Sequence, residues 1–154
     1  MINFNLNFLQ TCSSTNDVAI KKAKEGFPEG SSYLAYLQTN GRGRNDNEWQ
    51  SLEGNLFLST IFRPVKNKNS WHQLSIIIGF SIIEILIKLG IKKNEIELKW
   101  PNDVLVLDKK ISGILLETFD NFMVAGVGLN ITKNPQNDKK WNTTKLNDHT
   151  KNDY

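Results

Sequence analysis

Some short runs in this 154-residue chain hold residue types that bind anions or carry charge to a reacting group. The first is GRGRNDNEW at 41–49. Gly41 and Gly43 free the backbone to present successive N–H groups to an anion, and Arg42 and Arg44 supply guanidinium forks that match carboxylate or phosphate. The same run also reads as a solvated basic loop. It departs from the P-loop pattern, because no Gly-Lys-Ser/Thr follows and no helix starts there. The second run is KWPND at 99–103. Lys99 closes a strand-like stretch, Pro101 turns the chain, and Asn102 and Asp103 fall at the rim of a sheet. Asp103 is a candidate Mg²⁺ ligand, since Mg²⁺ takes one or two carboxylates plus phosphate oxygens; an ordinary Pro-Asn-Asp turn is the other reading. In KKISGILLE at 109–117, strict alternation puts Lys110 on the face of Ser112 and opposite Ile111. Gly113 weakens a strand unless something must approach its backbone, and GVGLN at 126–130 raises the same point twice before ending on Asn130. Cys12 with His72 has no supporting spacing for thiol catalysis. His72 and His149 lack metal-ligand spacing, so no zinc site is read.

The elements that must position these runs are legible from periodicity. Residues 1–9 read as a short strand, and SSTNDVAIKKAKEG reads as a helix. Ser14 is its cap, Asp17 takes the capping-box position and Gly26 is its left-handed stop; Val18, Ala19 and Ala23 form its apolar stripe. Residues 31–39 and 55–63 read as strands, joined by a connection long enough to suggest a functional loop. SWHQLSIIIGFSIIEILIKLG at 70–90 reads as a long helix, apolar nearly all round, which predicts burial across a sheet. EIELKW, DVLVLD, KISGILLET and FMVAGVGLNI follow as strand-like runs with DK and DN at the turns. Short-linked consecutive strands are antiparallel, so the fold class is α+β, with helices on one side of a mixed or antiparallel sheet. From 132 onward the chain is polar and aperiodic, so 1–131 is the expected folded unit and 132–154 loop or disordered tail.

Composition bounds what such a unit can do. The length suits one domain with a real core. Lys and Arg total 19 against 16 Asp and Glu, a net charge of +3. That is too weak a bias for a nucleic-acid protein. One cysteine rules out an intrachain disulfide. MINFNLNFLQ lacks the basic and apolar regions of a secretory signal. The apolar stretch from Leu74 to Leu89 is interrupted by Ser75, Ser81, Glu84 and Lys88 and is shorter than the ~20 residues of a bilayer span. A soluble, cytoplasmic protein with no membrane or nucleic-acid partner is expected.

The order SSTND, QTNGRGR followed by a Trp, KWPNDV, KKISGILLE and GVGLNI resembles the catalytic domain of biotin protein ligases, from about Ser13 to Leu146. The resemblance implies that family's class II synthetase-like fold, a mixed, largely antiparallel sheet flanked by helices. It also implies two-step chemistry: biotin and Mg²⁺-ATP give biotinyl-5′-AMP, then a lysine of a biotin carboxyl carrier domain accepts the biotin. By the family's pattern Lys110 and Arg44 are catalytic. Ser14, Thr15, Gln38, Gly41, Arg42, Arg44, Lys110 and Gly113 meet biotin. Arg42, Arg44, Trp49, Lys99, Asn102, Asp103 and Asn130 lie with the nucleotide, and Asp103 with Mg²⁺. Arg44 belongs to a loop expected to be a lid, unordered until ligand gives it something to pack on. Many members dimerise.

Two departures stand out. Asn45, Asp46 and Asn47 stand where members often carry a further basic group, which removes positive charge from the lid. Members usually continue into more catalytic-domain structure and a small β-barrel, and some are preceded by a winged helix; neither is expected here. A lipoate ligase or octanoyltransferase of the same fold is the rival enzyme reading, and a shortened relative that binds biotin without turnover is the non-enzyme reading.

Overall fold

A computed structural model describes residues 2–65, 68–135 and 142–154. The strands are β1 (Asn5–Cys12), β2 (Ser31–Gln38), β3 (Leu56–Phe62), β4 (Ile96–Lys99), β5 (Asp103–Val106), β6 (Lys109–Thr118) and β7 (Met123–Leu129). Two helices, α1 (Thr15–Lys24) and α2 (Leu74–Lys88), complete the framework. The strands form one seven-stranded sheet in the order β1-β2-β3-β7-β6-β5-β4. β1 pairs parallel with β2 across α1, and every other neighbour is antiparallel. The mixed sheet expected from the sequence is therefore present, its parallel pair made by the helical crossover that such a pair requires.

Register separates two apolar clusters onto opposite faces. Tyr33, Ile61 and Val124 pack beneath Ala19 and Ala23 of α1. Ile114, Leu129 and Val104 pack with Ile82 and Leu86 of α2. Since Ile61 pairs with Val124, whereas Ile114 pairs with Val127, three positions along β7, the clusters cannot share a face. One helix thus covers each side. This corrects the one-sided arrangement read from the strand order and agrees with the flanked sheet that the family resemblance implies.

Helix ends follow local chemistry, with one change. Ser14 is the N-cap of α1 in extended conformation, but its side chain makes no capping bond. Asp17 is not a capping-box partner; its carboxylate is used elsewhere, as described below. Gly26 ends the helix at φ +91°, which a side chain would resist. The long apolar segment divides into a 3₁₀ stretch (Lys68–Gln73) and α2. Only one face of α2 is buried: Ile77, Phe80 and Ile85 are 61%, 57% and 51% exposed. The expectation of a buried helix fails because an all-round apolar pattern carries no directional information. By length and composition Ser70–Lys88 could cross a membrane, but Gly79 packs on Leu98, and Ile82 and Leu86 are in the core.

In the polar tail the described residues, 132–135 and 142–154, include a 3₁₀ turn (Leu146–Asp148) and are bound to the body. Leu146 is buried in the α2 cluster. Asn55 Oδ1 accepts from the backbone N–H groups of Ile131, Thr132 and Lys133 at 2.9–3.2 Å. Lys110 donates its N–H to Asn142 O, and Thr144 donates to Lys110 O, both at 2.9 Å. Residues 136–141 of the expected tail lie outside the described residues.

Candidate active site

A cleft of about 460 Å³ opens on the α1 face of the sheet, a size suited to a small-molecule site. It gathers Ser14, Thr15, Gln38, Arg42, Arg44, Trp49, Lys99, Asn102, Asp103, Lys110, Gly113 and Asn130, so residues scattered over much of the sequence converge. Gly41 does not line it. A Cβ there would lie 2.6 Å from Trp49 O and 2.7 Å from Ser51 Oγ, so this glycine lets the returning chain pass. At Gly43 the nearest atom to an added Cβ is 3.6 Å away, so sterics do not demand glycine.

Lys110 reaches the cleft through an irregularity. Val104 faces Ser112 while Leu105 faces Lys110, so β6 carries one extra residue, Ile111. The bulge turns Lys110 to the side of Gly113, where an added Cβ would lie 3.3 Å from Lys110 Cε. Strict alternation, which paired Lys110 with Ser112, therefore gives the wrong face. Lys110 Nζ sits 2.8 Å from Asp103 Oδ1, with the two side chains 16% and 10% exposed. The approach is an ion pair rather than a hydrogen bond, because that oxygen accepts no bond of normal angle.

Next to this pair the sheet becomes flat. Gly113 and Gly128 are cross-strand partners on β6 and β7. The Trp49 indole lies on them: a side chain at Gly128 would overlap the ring, and one at Gly113 would come within 2.9 Å. Lys110 Nζ lies 5.4 Å from the ring centroid, within cation–π range. Trp49 is thus both wall and anchor. The 41–49 segment forms a small hairpin in which Arg42 bridges Glu48, Trp49 N–H donates to Gly41 O, and Gly43 N–H donates to Asn47 O at 2.7 Å. Asn45 turns its tip at φ +53°, a conformation asparagine tolerates. The expectation of a lid with nothing to pack on is corrected. Trp49 has the glycine shelf, and Arg42 is held by Asp17 (2.7 Å) and Glu117 (2.9 Å). Burial lowers the Arg42 pKa, but Glu117 and then Asp17 outweigh this, so it stands above the ordinary value. Arg44, at the exposed tip, has Nη1 3.5 Å from Asn102 Oδ1.

Toward β2 the cleft floor is a chain of polar groups. Thr15 donates from N and Oγ1 to Gln38 Oε1 at 2.8 and 3.1 Å, and Gln38 Nε2 donates to Ser51 Oγ at 3.0 Å. Ser59, fully buried on β3, lies 2.7 Å from Thr15 Oγ1 and 2.5 Å from Asn16 Oδ1. Asn16 Nδ2 donates to Glu117 Oε2 at 2.6 Å. Sequence reading missed Asn16, Ser51, Ser59 and Glu117 and misassigned Asp17. Glu117 had a signal, since positions 113, 115 and 117 share one face of β6.

The remaining expected residues divide by what already holds them. Asn102 Nδ2 donates to Ile114 O (2.9 Å), leaving Oδ1 toward Arg44. Asn130 Nδ2 donates to Thr144 O (3.0 Å), which ties the tail to β7. Lys99 ends β4 at the cleft rim. Asp103, the expected Mg²⁺ ligand, turns Oδ1 to the Lys110 ammonium, and no group of three or more His, Cys, Asp or Glu is placed to hold a metal among the described residues.

The seven-stranded sheet order and the basic hairpin over a glycine shelf set the frame for comparison with known proteins. The sequence profile of the biotin/lipoate A/B protein ligase family matches residues 8–134, so the chain belongs to that family. It is 35% identical over 130 residues to the biotin–[acetyl-CoA-carboxylase] ligase of Mycobacterium tuberculosis, covering 82% of this chain and 49% of that one. The biotin protein ligase of Aquifex aeolicus in complex with biotin and ATP superposes with a TM-score of 0.81 at 33% identity, covering 97% of this chain and 62% of that one. The Leishmania major biotin protein ligase in complex with biotinyl-5-AMP gives 0.82 at 28% identity, covering 94% and 64%. The chain spans about half the length of the curated relative and under two thirds of the two solved chains.

Proposed function

We propose that this chain activates biotin with ATP to biotinyl-5′-AMP and passes the biotin to a lysine of a biotin carboxyl carrier domain. The observation that carries the reading is the order of groups across the sheet. The polar side chains of Thr15 and Gln38 lie toward β2, the Gly113–Gly128 shelf in the middle, and Lys110 with Asp103 toward β5. That order suits a ligand with a polar ring at one end, an apolar body and a carboxylate at the other. Relatives named for biotin, with structures holding biotin, ATP and biotinyl-5-AMP, favour biotin over lipoate.

The chemistry needs cations in place beforehand. A carboxylate approaching a polyphosphate meets repulsion of about 1 kcal/mol per charge pair at 4 Å in water and about 4 at an effective dielectric of 20. Lys110, and Arg44 once its tip swings in, offset that charge where the oxygens meet. The carboxylate oxygen bonds to the α-phosphorus and pyrophosphate leaves. The carrier amine then attacks the carbonyl carbon, the C–O bond to AMP breaks, and the amine's proton is released. Mg²⁺ would be supplied with the nucleotide as Mg²⁺-ATP and would add positive charge at the phosphates. We propose a cytoplasmic reaction without a nucleic-acid or membrane partner; a homodimer is the assembly to look for by light scattering.

The test offers a carrier domain, Mg²⁺-ATP and either biotin or lipoate, and reads intact mass. One biotin added to the carrier, lost when its acceptor lysine is Arg, is expected. Transfer of lipoate with no transfer of biotin would overturn the reading.

A further inference from the structure

The family pattern sends Arg42 over the ligand, yet its guanidinium is already engaged. Nη1 lies 2.7 Å from Asp17 Oδ1, and Nη2 donates to Glu117 Oε1 and Oε2 at 3.1 and 2.9 Å. Two carboxylates on one guanidinium leave the trio with a net negative charge, which repels an incoming carboxylate or phosphate. The clamp is also held from below. Asn16, 3% exposed, donates to Glu117 and rests on Ser59, which has no exposure. A side chain at Gly126 would overlap Asn16 Oδ1, so the bare β7 backbone makes room for this support. The clamp joins three separate elements: Asp17 comes from α1, Glu117 from β6 and Arg42 from the base of the hairpin. Arg44, two residues on, stands at the exposed tip, where among the described residues it makes a long contact to Asn102.

We propose that Glu117 is a positioning residue of this site: with Asp17 it holds Arg42, and Arg42 so held fixes the base of the 41–49 hairpin over the cleft, leaving Arg44 to meet the ligand's anionic oxygens. The two lid arginines then have different tasks. Arg42 is a latch whose charge is consumed inside the protein, and Arg44 is the arm that reaches the reacting groups. The proposal deepens the ligase reading and rests on it for the ligand, but not for the latch itself.

Trypsin tests the latch without any turnover. Cleavage after Arg44 reports the hairpin, and cleavage after exposed Lys92 reports the rest of the fold. Glu117→Leu and Arg42→Met should each speed cleavage after Arg44 about tenfold with Lys92 unchanged, the loss expected for one charge-assisted contact. The double variant should be cut no faster than the faster single one, because both remove the same contact. Glu117→Gln, which keeps an oxygen for Arg42, should rise only about threefold. It decides the matter if Glu117→Leu loses its fold. In biotin-dependent pyrophosphate release, Glu117→Gln should raise KM for biotin about fivefold and leave kcat within about twofold. Unchanged cleavage after Arg44 in the Glu117 variants, or independent multiplied effects in the double, overturns the proposal. A parent protein that releases no biotin-dependent pyrophosphate would sink the ligase reading, while the trypsin rates would still decide the latch.

Discussion

Lys110 and Asp103 compensate each other with side chains only 16% and 10% exposed. Removing one partner of a buried pair leaves the other charge uncompensated, at a cost of about 3 kcal/mol or more. Lys110→Met should therefore destabilise the fold by roughly that amount and lower adenylation about a hundredfold. Lys110→Met with Asp103→Asn removes both charges; stability should return to within about 1 kcal/mol of the parent while adenylation stays low. Urea unfolding and pyrophosphate release measure the two quantities separately. If activity returned with stability, Lys110 would be structural only. At this scale the sequence was informative about residue type and less so about partners. Arg42 was selected for its fork, but its carboxylates lie 25 and 75 positions away in the chain. Glu117 went unread because a strand-face glutamate is ordinarily solvated.

Strands and helices decide which way those side chains point. The alternation of KKISGILLE located β6 correctly, but a single bulge at Ile111 reverses Lys110, and bulges leave no period in the sequence. The glycines of β6 and β7 mark a close approach, as suspected, but what approaches is Trp49 and Asn16. Gly128→Ala would push a methyl group into the Trp49 ring and should cost about 1–3 kcal/mol in urea unfolding, with a changed near-ultraviolet indole signal. Gly43→Ala, at φ −113° with room for a methyl, should stay within about 0.5 kcal/mol. Equal losses at the two positions would mean that the shelf does not seat the ring. Both helices were located from the sequence, but their sides were not. α1 has a narrow stripe and buries it, whereas α2 is apolar all round and could have faced either way.

Across the whole molecule, coverage is uneven. α2 contacts β4, β5 and β6, while on the same side of the sheet Leu6, Phe8 and Tyr36 of β1 and β2 are exposed. Contiguous apolar surface promotes association. Phe8→Thr should lower binding of a hydrophobic dye and self-association in sedimentation, with Tm nearly unchanged because the ring is already 74% exposed. A large fall in Tm would show that this surface is covered in solution. Uneven coverage leaves the opposite face free to build the cleft, where a parallel edge, a helix N-terminus and five antiparallel strands bring distant runs of sequence together. The central claim is that these groups join a carboxylate to the α-phosphorus of ATP. It is tested most directly by exchange of labelled pyrophosphate into ATP, catalysed by the full chain with Mg²⁺ and no carrier domain. Label should enter ATP only when biotin is present; exchange at the same rate without biotin would contradict the account.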